Sequence, residues 1–166
     1  MTGALELSNG KLLFIHAAAT PNNKIGMISS TGYVAAGDCL TTQAAPFTTS
    51  LPTAMLMHSS GKLLVSYGST TSASNVIMSY DVDATANTIS NAVTAYSNQS
   101  VVIGPSAMTE DTETGIVYIS SATVGAESIE AFSFNSTSGT LTRIGSQAFI
   151  PLSQYVRCVS GMVVGN

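Results

Sequence analysis

Few side chains in this chain of 166 residues are equipped for acid–base or nucleophilic chemistry. Its two histidines are His16 and His58, and histidine is the commonest general base near neutral pH. His16 follows the apolar run Leu12-Leu13-Phe14-Ile15, whereas His58 precedes Ser59-Ser60-Gly61. Neither has a catalytic partner in its local sequence, so each reads first as a strand-end or turn residue. Glu110-Asp111-Thr112-Glu113 is the densest acidic cluster. Paired carboxylates can bind a cation or divide acid and base roles, although a solvated turn tip is the more ordinary reading. Asp81-Val82-Asp83-Ala84-Thr85-Ala86-Asn87 spaces its oxygens like the start of a calcium loop. Ala86 stands where that loop needs Gly, and Ala92 where it needs Glu. It reads as a turn.

Gln154-Tyr155-Val156-Arg157 is the segment best suited to recognition, because Tyr and Arg are enriched at binding hot spots. Gln154, Tyr155, Arg157 and His58 are therefore the candidate ligand-binding residues, and no residue is assigned a catalytic role. Cys39 and Cys158 allow one disulfide or two thiols, without a metal-type spacing. The sequence holds no Gly-x-Ser-x-Gly elbow, phosphate loop or zinc motif, and no cofactor or metal is expected. Asn98-Gln99-Ser100 and Asn135-Ser136-Thr137 fit the glycosylation acceptor pattern, one that arises often by chance in a Ser/Thr-rich chain.

Composition narrows the function classes. Charged residues make up 8% and the net charge is −4, so no basic face is available to neutralise phosphates and nucleic acid is not an expected partner. A hydrophobic fraction of 45% excludes the low-hydrophobicity, high-charge signature of disorder. No run approaches the roughly 18 to 20 apolar residues of a membrane helix. The start, Met1-Thr2-Gly3-Ala4-Leu5-Glu6, lacks a signal peptide's basic and apolar regions. Hydroxyl-rich, charge-poor composition nevertheless favours an extracellular or cell-surface protein.

Such residues must be positioned by a scaffold, and the scaffold is a repeat. Ser8-Asn9-Gly10-Lys11-Leu12-Leu13-Phe14, Ser59-Ser60-Gly61-Lys62-Leu63-Leu64-Val65 and Glu113-Thr114-Gly115-Ile116-Val117-Tyr118-Ile119 superimpose as a Gly turn followed by a strand. A second strand follows each: Ile25-Gly26-Met27-Ile28, Val76 to Tyr80, and Ile129 to Phe134. Asn87 and Gly139 then occupy the same turn position, and both types adopt positive φ readily. Thr53-Ala54-Met55, Ser106-Ala107-Met108 and Ser160-Gly161-Met162 mark an opening strand, which Ala4-Leu5 begins in the first copy. One domain over 1–166 results, with repeats at 3–53, 54–106 and 107–160 and an extra strand at 161–166. The expected class is all-β: three tandem four-stranded antiparallel units, read as propeller blades, plus that strand. A closed three-fold β-trefoil or β-prism is the alternative.

The second and third copies resemble blades of the lactonase-type and YVTN-type seven-bladed propellers. The residues that carry the likeness are Gly115 to Ser120, Ile129 to Phe134 and Asn135 to Thr142, echoed by Gly61 to Tyr67, Val76 to Asp83 and Thr88-Ile89. The resemblance implies a propeller and, as one reading, a hydrolase of the 6-phosphogluconolactonase type. No motif around His16, His58 or Arg157 matches a lactonase site. The first expectation is therefore a non-enzymatic binding or structural module. Three blades cannot close a ring, so its partner is itself, as a homo-oligomer, or the further blades of a longer chain. Carbohydrate or another protein is the expected ligand class, and a three-fold lectin is the remaining alternative.

Overall fold

The computed structural model describes residues 3–16, 24–28, 39–44, 51–68, 75–97, 101–102, 104–121, 128–145 and 150–151. Its strands form three antiparallel sheets, each read in chain order. The first holds β1 (Gly3–Glu6), β2 (Leu12–His16), β3 (Lys24–Ile28) and β4 (Cys39–Ala44). The second holds β5 (Leu51–Met57), β6 (Lys62–Gly68), β7 (Val76–Asp83) and β8 (Thr88–Tyr96). The third holds β9 (Pro105–Asp111), β10 (Ile116–Ser121), β11 (Ser128–Asn135) and β12 (Thr140–Arg143), with β13 (Ile150–Pro151) also paired to β11. β12 and β13 thus share the outer edge of the third blade. The expected meander of blades is the observed one, and the closed three-fold alternatives are not: the described strands form no barrel, and the middle sheet packs one face on each neighbour, whereas a three-fold prism buries one face of each sheet.

Successive side chains on a strand point to opposite faces, and each blade uses both. Leu13, Ile15, Ile25 and Met27 form the leading face of blade 1, and they pack on Leu63, Val65, Tyr67, Met78 and Tyr80 of blade 2. On its other face blade 2 presents Leu64 and Ile77 to Val117, Ile119 and Phe132 of blade 3. Leading face therefore meets trailing face at both seams. Full burial of such side chains contributes about 1.5–3 kcal/mol each, which makes these two seams the core. In the first, the Tyr67 and Tyr80 hydroxyls meet at 3.0 Å. Burial raises both phenols above their ordinary value and keeps them protonated.

The small residues of the opening strands have a defined task. β5 lies against both β1 and β9, so inner strands converge. The β5 register shifts between Pro52 and Ala54, and the equivalent shift in blade 3 falls where Ser120 and Ser121 pair with Ala107 and Pro105. At each bulge one hydroxyl pair fills the gap: Thr53 with Ser66 and Ser106 with Ser120, both at 2.9 Å. Ser66 Oγ also accepts the Ala54 N–H at 3.0 Å. A bulge leaves a ladder group unpaired, so the repeated hydroxyls supply what the backbone there lacks.

Turn chemistry follows the same repeat. Asn87 and Gly139 both have positive φ, 58° and 74°. Asp83 Oδ1 accepts the Thr85 and Ala86 N–H groups, and Asn135 Oδ1 accepts those of Thr137 and Ser138. The acidic, calcium-like stretch is thus the β7–β8 hairpin. Gly139 is doubly constrained, because a Cβ there would lie 2.5 Å from Ser79 Oγ of the neighbouring blade. Gly61 has φ 84° but open space around it. Gly139→Ala should cost about 3 kcal/mol, combining left-handed strain with overpacking, and Gly61→Ala about 1 kcal/mol from strain alone. Urea unfolding of the two variants checks the ranking.

Candidate functional site

His58, Ser59, Ser60 and Glu110 come together at the seam between blades 2 and 3. The β5–β6 turn is closed by backbone bonds, His58 N–H to the Lys62 carbonyl at 2.9 Å and Gly61 N–H to the His58 carbonyl at 2.8 Å. That closure turns the His58 ring inward, where it lies 4.6 Å from the Phe134 ring of β11. His58 Nδ1 accepts the Ser60 N–H at 3.1 Å and lies 2.9 Å from Ser60 Oγ. An acceptor at Nδ1 puts the proton of the neutral ring on Nε2.

Glu110 reaches the same turn from β9. Its Oε2 accepts the Ser59 N–H at 2.7 Å and its Oε1 the Ser59 hydroxyl at 2.5 Å. Oε1 also lies 3.2 Å from His58 Nε2. That approach is off the line of a hydrogen bond, so the contact is electrostatic rather than a formed bond. The His58 and Glu110 side chains are 8% and 3% exposed, while Ser59 and Ser60 are exposed. The result is a hydroxyl, an imidazole and a carboxylate in series, with only the hydroxyl end open to water.

The acidic cluster thus divides, contrary to the expectation of a solvated tip. Glu110 is buried against blade 2, whereas Thr112, Glu113 and Thr114 are exposed. The Asp111 carboxylate accepts the Thr114 hydroxyl at 2.7 Å and the Glu113 N–H at 3.0 Å. His58, expected as a turn residue without partners, is the centre of the cluster. His16 ends β2 opposite Lys24, on another blade. Gln154, Tyr155, Arg157 and Cys158 lie outside the described residues, and Cys39 begins β4. Among the described residues no three His, Cys, Asp or Glu side chains gather as metal ligands.

Glu110 and Phe134 escape local sequence reading because they lie a whole repeat away from His58. One signal was present. In the repeat frame Glu110, paired with Val117, occupies the position of Met57, paired with Leu63. A carboxylate at a position that is apolar in the preceding copy needs a polar partner across the seam.

Two further polar contacts are electrostatic supports, one across the seam of blades 1 and 2 and one within blade 3. Lys11 donates from blade 1 to the Ala84 carbonyl and, at 2.6 Å, to Asn87 Oδ1 of blade 2. Buried Glu130 is held by Arg143, Nε at 2.8 Å and Nη2 at 2.6 Å, and by the Ser128 hydroxyl at 3.1 Å.

Comparison with known proteins agrees with this architecture. Among solved structures the chain is similar to a Bacteroides uniformis ATCC 8492 protein provisionally described as a 6-phosphogluconolactonase, with TM-score 0.55 and 16% identity. The match covers 91% of this chain and 42% of that one, so the chain spans less than half of its neighbour's length. Identity at this level shows the fold alone: a propeller of the lactonase type. No family matches the sequence, and neither does any curated protein.

Glu110→Gln keeps the shape but turns an amide N–H₂ toward one of the donors that the carboxylate now accepts. It should cost about 2 kcal/mol in urea unfolding. Acid should also weaken the turns. Hydrogen bonds from Ala86 and Thr85 hold the Asp83 carboxyl below 3.8, and those from Thr114 and Glu113 do the same for Asp111. A carboxyl depressed by folding stabilises above its unfolded value and loses that contribution as pH falls through its folded value. The urea midpoint should therefore fall between about pH 5 and pH 2, with a shallower slope in Asp83→Asn.

Proposed function

We propose that this chain is an arc of a propeller of the lactonase and YVTN type, acting as a binding or structural module whose ring is completed by further blades. The observation that carries this reading is the order of the seams. Among the described residues leading face meets trailing face twice, a head-to-tail order that a further blade at either end would continue. By strand alternation Tyr118 and Ile129 lie on the leading face of blade 3, and Leu12 and Phe14 on the trailing face of blade 1, and among the described residues all four are only half-buried. Sheets with such faces need a covering layer.

Charge distinguishes the sources of that layer. Glu6 pairs with Leu12 as Glu110 pairs with Val117, so it holds the same blade position, yet it is exposed. Its counterpart Glu110 receives a Ser hydroxyl and N–H from the preceding blade's turn. A second copy joined head to tail would bring the turn with Asp111 and Glu113 to Glu6 instead, and like charges there disfavour it. A blade whose turn carries hydroxyl donors fits better. Light scattering on the chain of 17.0 kDa tests this. The expected result is association without fixed stoichiometry, reduced by Tyr118→Arg or Phe14→Arg. A stable monomer would sink the arc, and a discrete dimer would reassign the covering layer to a second copy.

A second reading, a hydrolase acting on sugar-phosphate lactones, is favoured by the structural neighbour. Lys11, Lys62 and Arg143, three of the five basic residues, are already engaged by Ala84 and Asn87, Asp81 and Glu130. That leaves little positive charge for a phosphate. Acid release from 6-phosphogluconolactone above the spontaneous rate would support the hydrolase; its absence would remove it.

A further inference from the structure

The β5–β6 turn has its side-chain acceptor in His58 Nδ1, which takes the Ser60 N–H as Asp83 and Asn135 take those of Thr85 and Thr137. Beyond that cap it holds a hydroxyl and a buried carboxylate. Ser60 Oγ, the His58 ring and the Glu110 carboxylate run in series at 2.9 and 3.2 Å. We propose that Ser60 is an acyl-accepting nucleophile, with His58 as its general base and Glu110 positioning the imidazole. This goes beyond the propeller reading and does not depend on how the ring is completed.

A nucleophilic serine needs a base within hydrogen-bond reach and a third group that orients the base. The base is within reach at 2.9 Å, and the ring is oriented by the Ser60 N–H on Nδ1 and by the Phe134 ring packed on it, with the Glu110 charge beside Nε2 but not bonded to it. Ser60 is exposed, so an ester can approach it, while the base and the carboxylate are buried. Ser60 Oγ attacks the ester carbonyl carbon as its proton passes to His58 Nδ1. The tetrahedral adduct then expels the alcohol, which takes that proton from Nδ1 and leaves an acyl group on Ser60. Water repeats the sequence and releases the acid. During each half the ring is an imidazolium, and the Glu110 charge beside Nε2 offsets it.

The surroundings also set the substrate class. At rest the turn's N–H groups are taken, Ser59 by Glu110, Ser60 by His58 Nδ1 and Gly61 by the His58 carbonyl, and protonation of Nδ1 releases that of Ser60 alone. A single oxyanion donor is worth about 10²–10³ in rate, so the ester must bring its own reactivity. Aryl esters and strained lactones do so, whereas the acyl-serine that forms is an ordinary alkyl ester. Acylation is therefore fast relative to release, and the signature is a burst.

The test uses the folded chain with p-nitrophenyl acetate and, separately, a fluorophosphonate probe, with the adduct located by peptide mass spectrometry. The expected result is a burst of about one nitrophenol per chain and a single adduct on Ser60. Ser60→Ala abolishes both and moves the urea midpoint little, since the Ser60 N–H still caps His58 Nδ1. His58→Gln slows the burst about 100-fold. Glu110→Asp restores most of the burst rate that Glu110→Gln loses without restoring the urea midpoint, which a purely structural role would not produce. Ser136→Ala, on the exposed turn of blade 3, labels like the native chain. No adduct on Ser60, or an equal adduct on the heat-unfolded chain, overturns the proposal.

Discussion

The structure depends on one constraint, that an antiparallel sheet apolar on both faces must have each of them covered. A single blade of this chain cannot cover either face by itself. Blade 2 is the only one flanked on both sides by described blades, and its two faces are the halves of two separate cores. Tyr67, Leu63 and Val65 belong to one, and Leu64 and Ile77 to the other. Neighbouring residues on one strand thus stabilise different seams. Stability in such a fold is a sum over nearest neighbours.

Polar groups at the seams obey the same logic. Lys11 reaches Ala84 and Asn87, Ser79 donates to the Gly139 carbonyl at 2.8 Å, and Glu110 takes both donors of Ser59. Each joins one blade to the next. Buried polar groups of this kind are costly unless satisfied, so they select one blade-to-blade register from the many that apolar packing alone would tolerate. The Ser60–His58–Glu110 series grows out of this requirement. A carboxylate placed to satisfy a turn also comes to lie beside an imidazole.

Much of the fold was legible because the repeat makes local chemistry visible several times. Gly10, Gly61 and Gly115 sit in the same turn, and the equivalence of Asn87 with Gly139 appears directly as positive φ at both. Thr53-Ala54-Met55 and Ser106-Ala107-Met108 marked the opening strands, although their hydroxyls proved to be bulge partners of Ser66 and Ser120. The site was less legible. Sequence singles out His58 but places its nearest carboxylate in a solvated tip, because contact across a seam leaves no trace in local spacing.

What the amino-acid sequence determined alone is therefore the unit: the alternation that makes each strand two-faced, the turns that join strands into a meander, and the number of copies. These are local properties, set by side-chain period and backbone conformation within a few residues. Tertiary structure decided which copy's face meets which, and with that which polar groups from different copies are buried together. Burial of Glu110 against Ser59 and His58 arises only when blade 3 docks on blade 2. The reason is physical: the energy of a buried charge depends on what surrounds it, and here those surroundings come from another repeat.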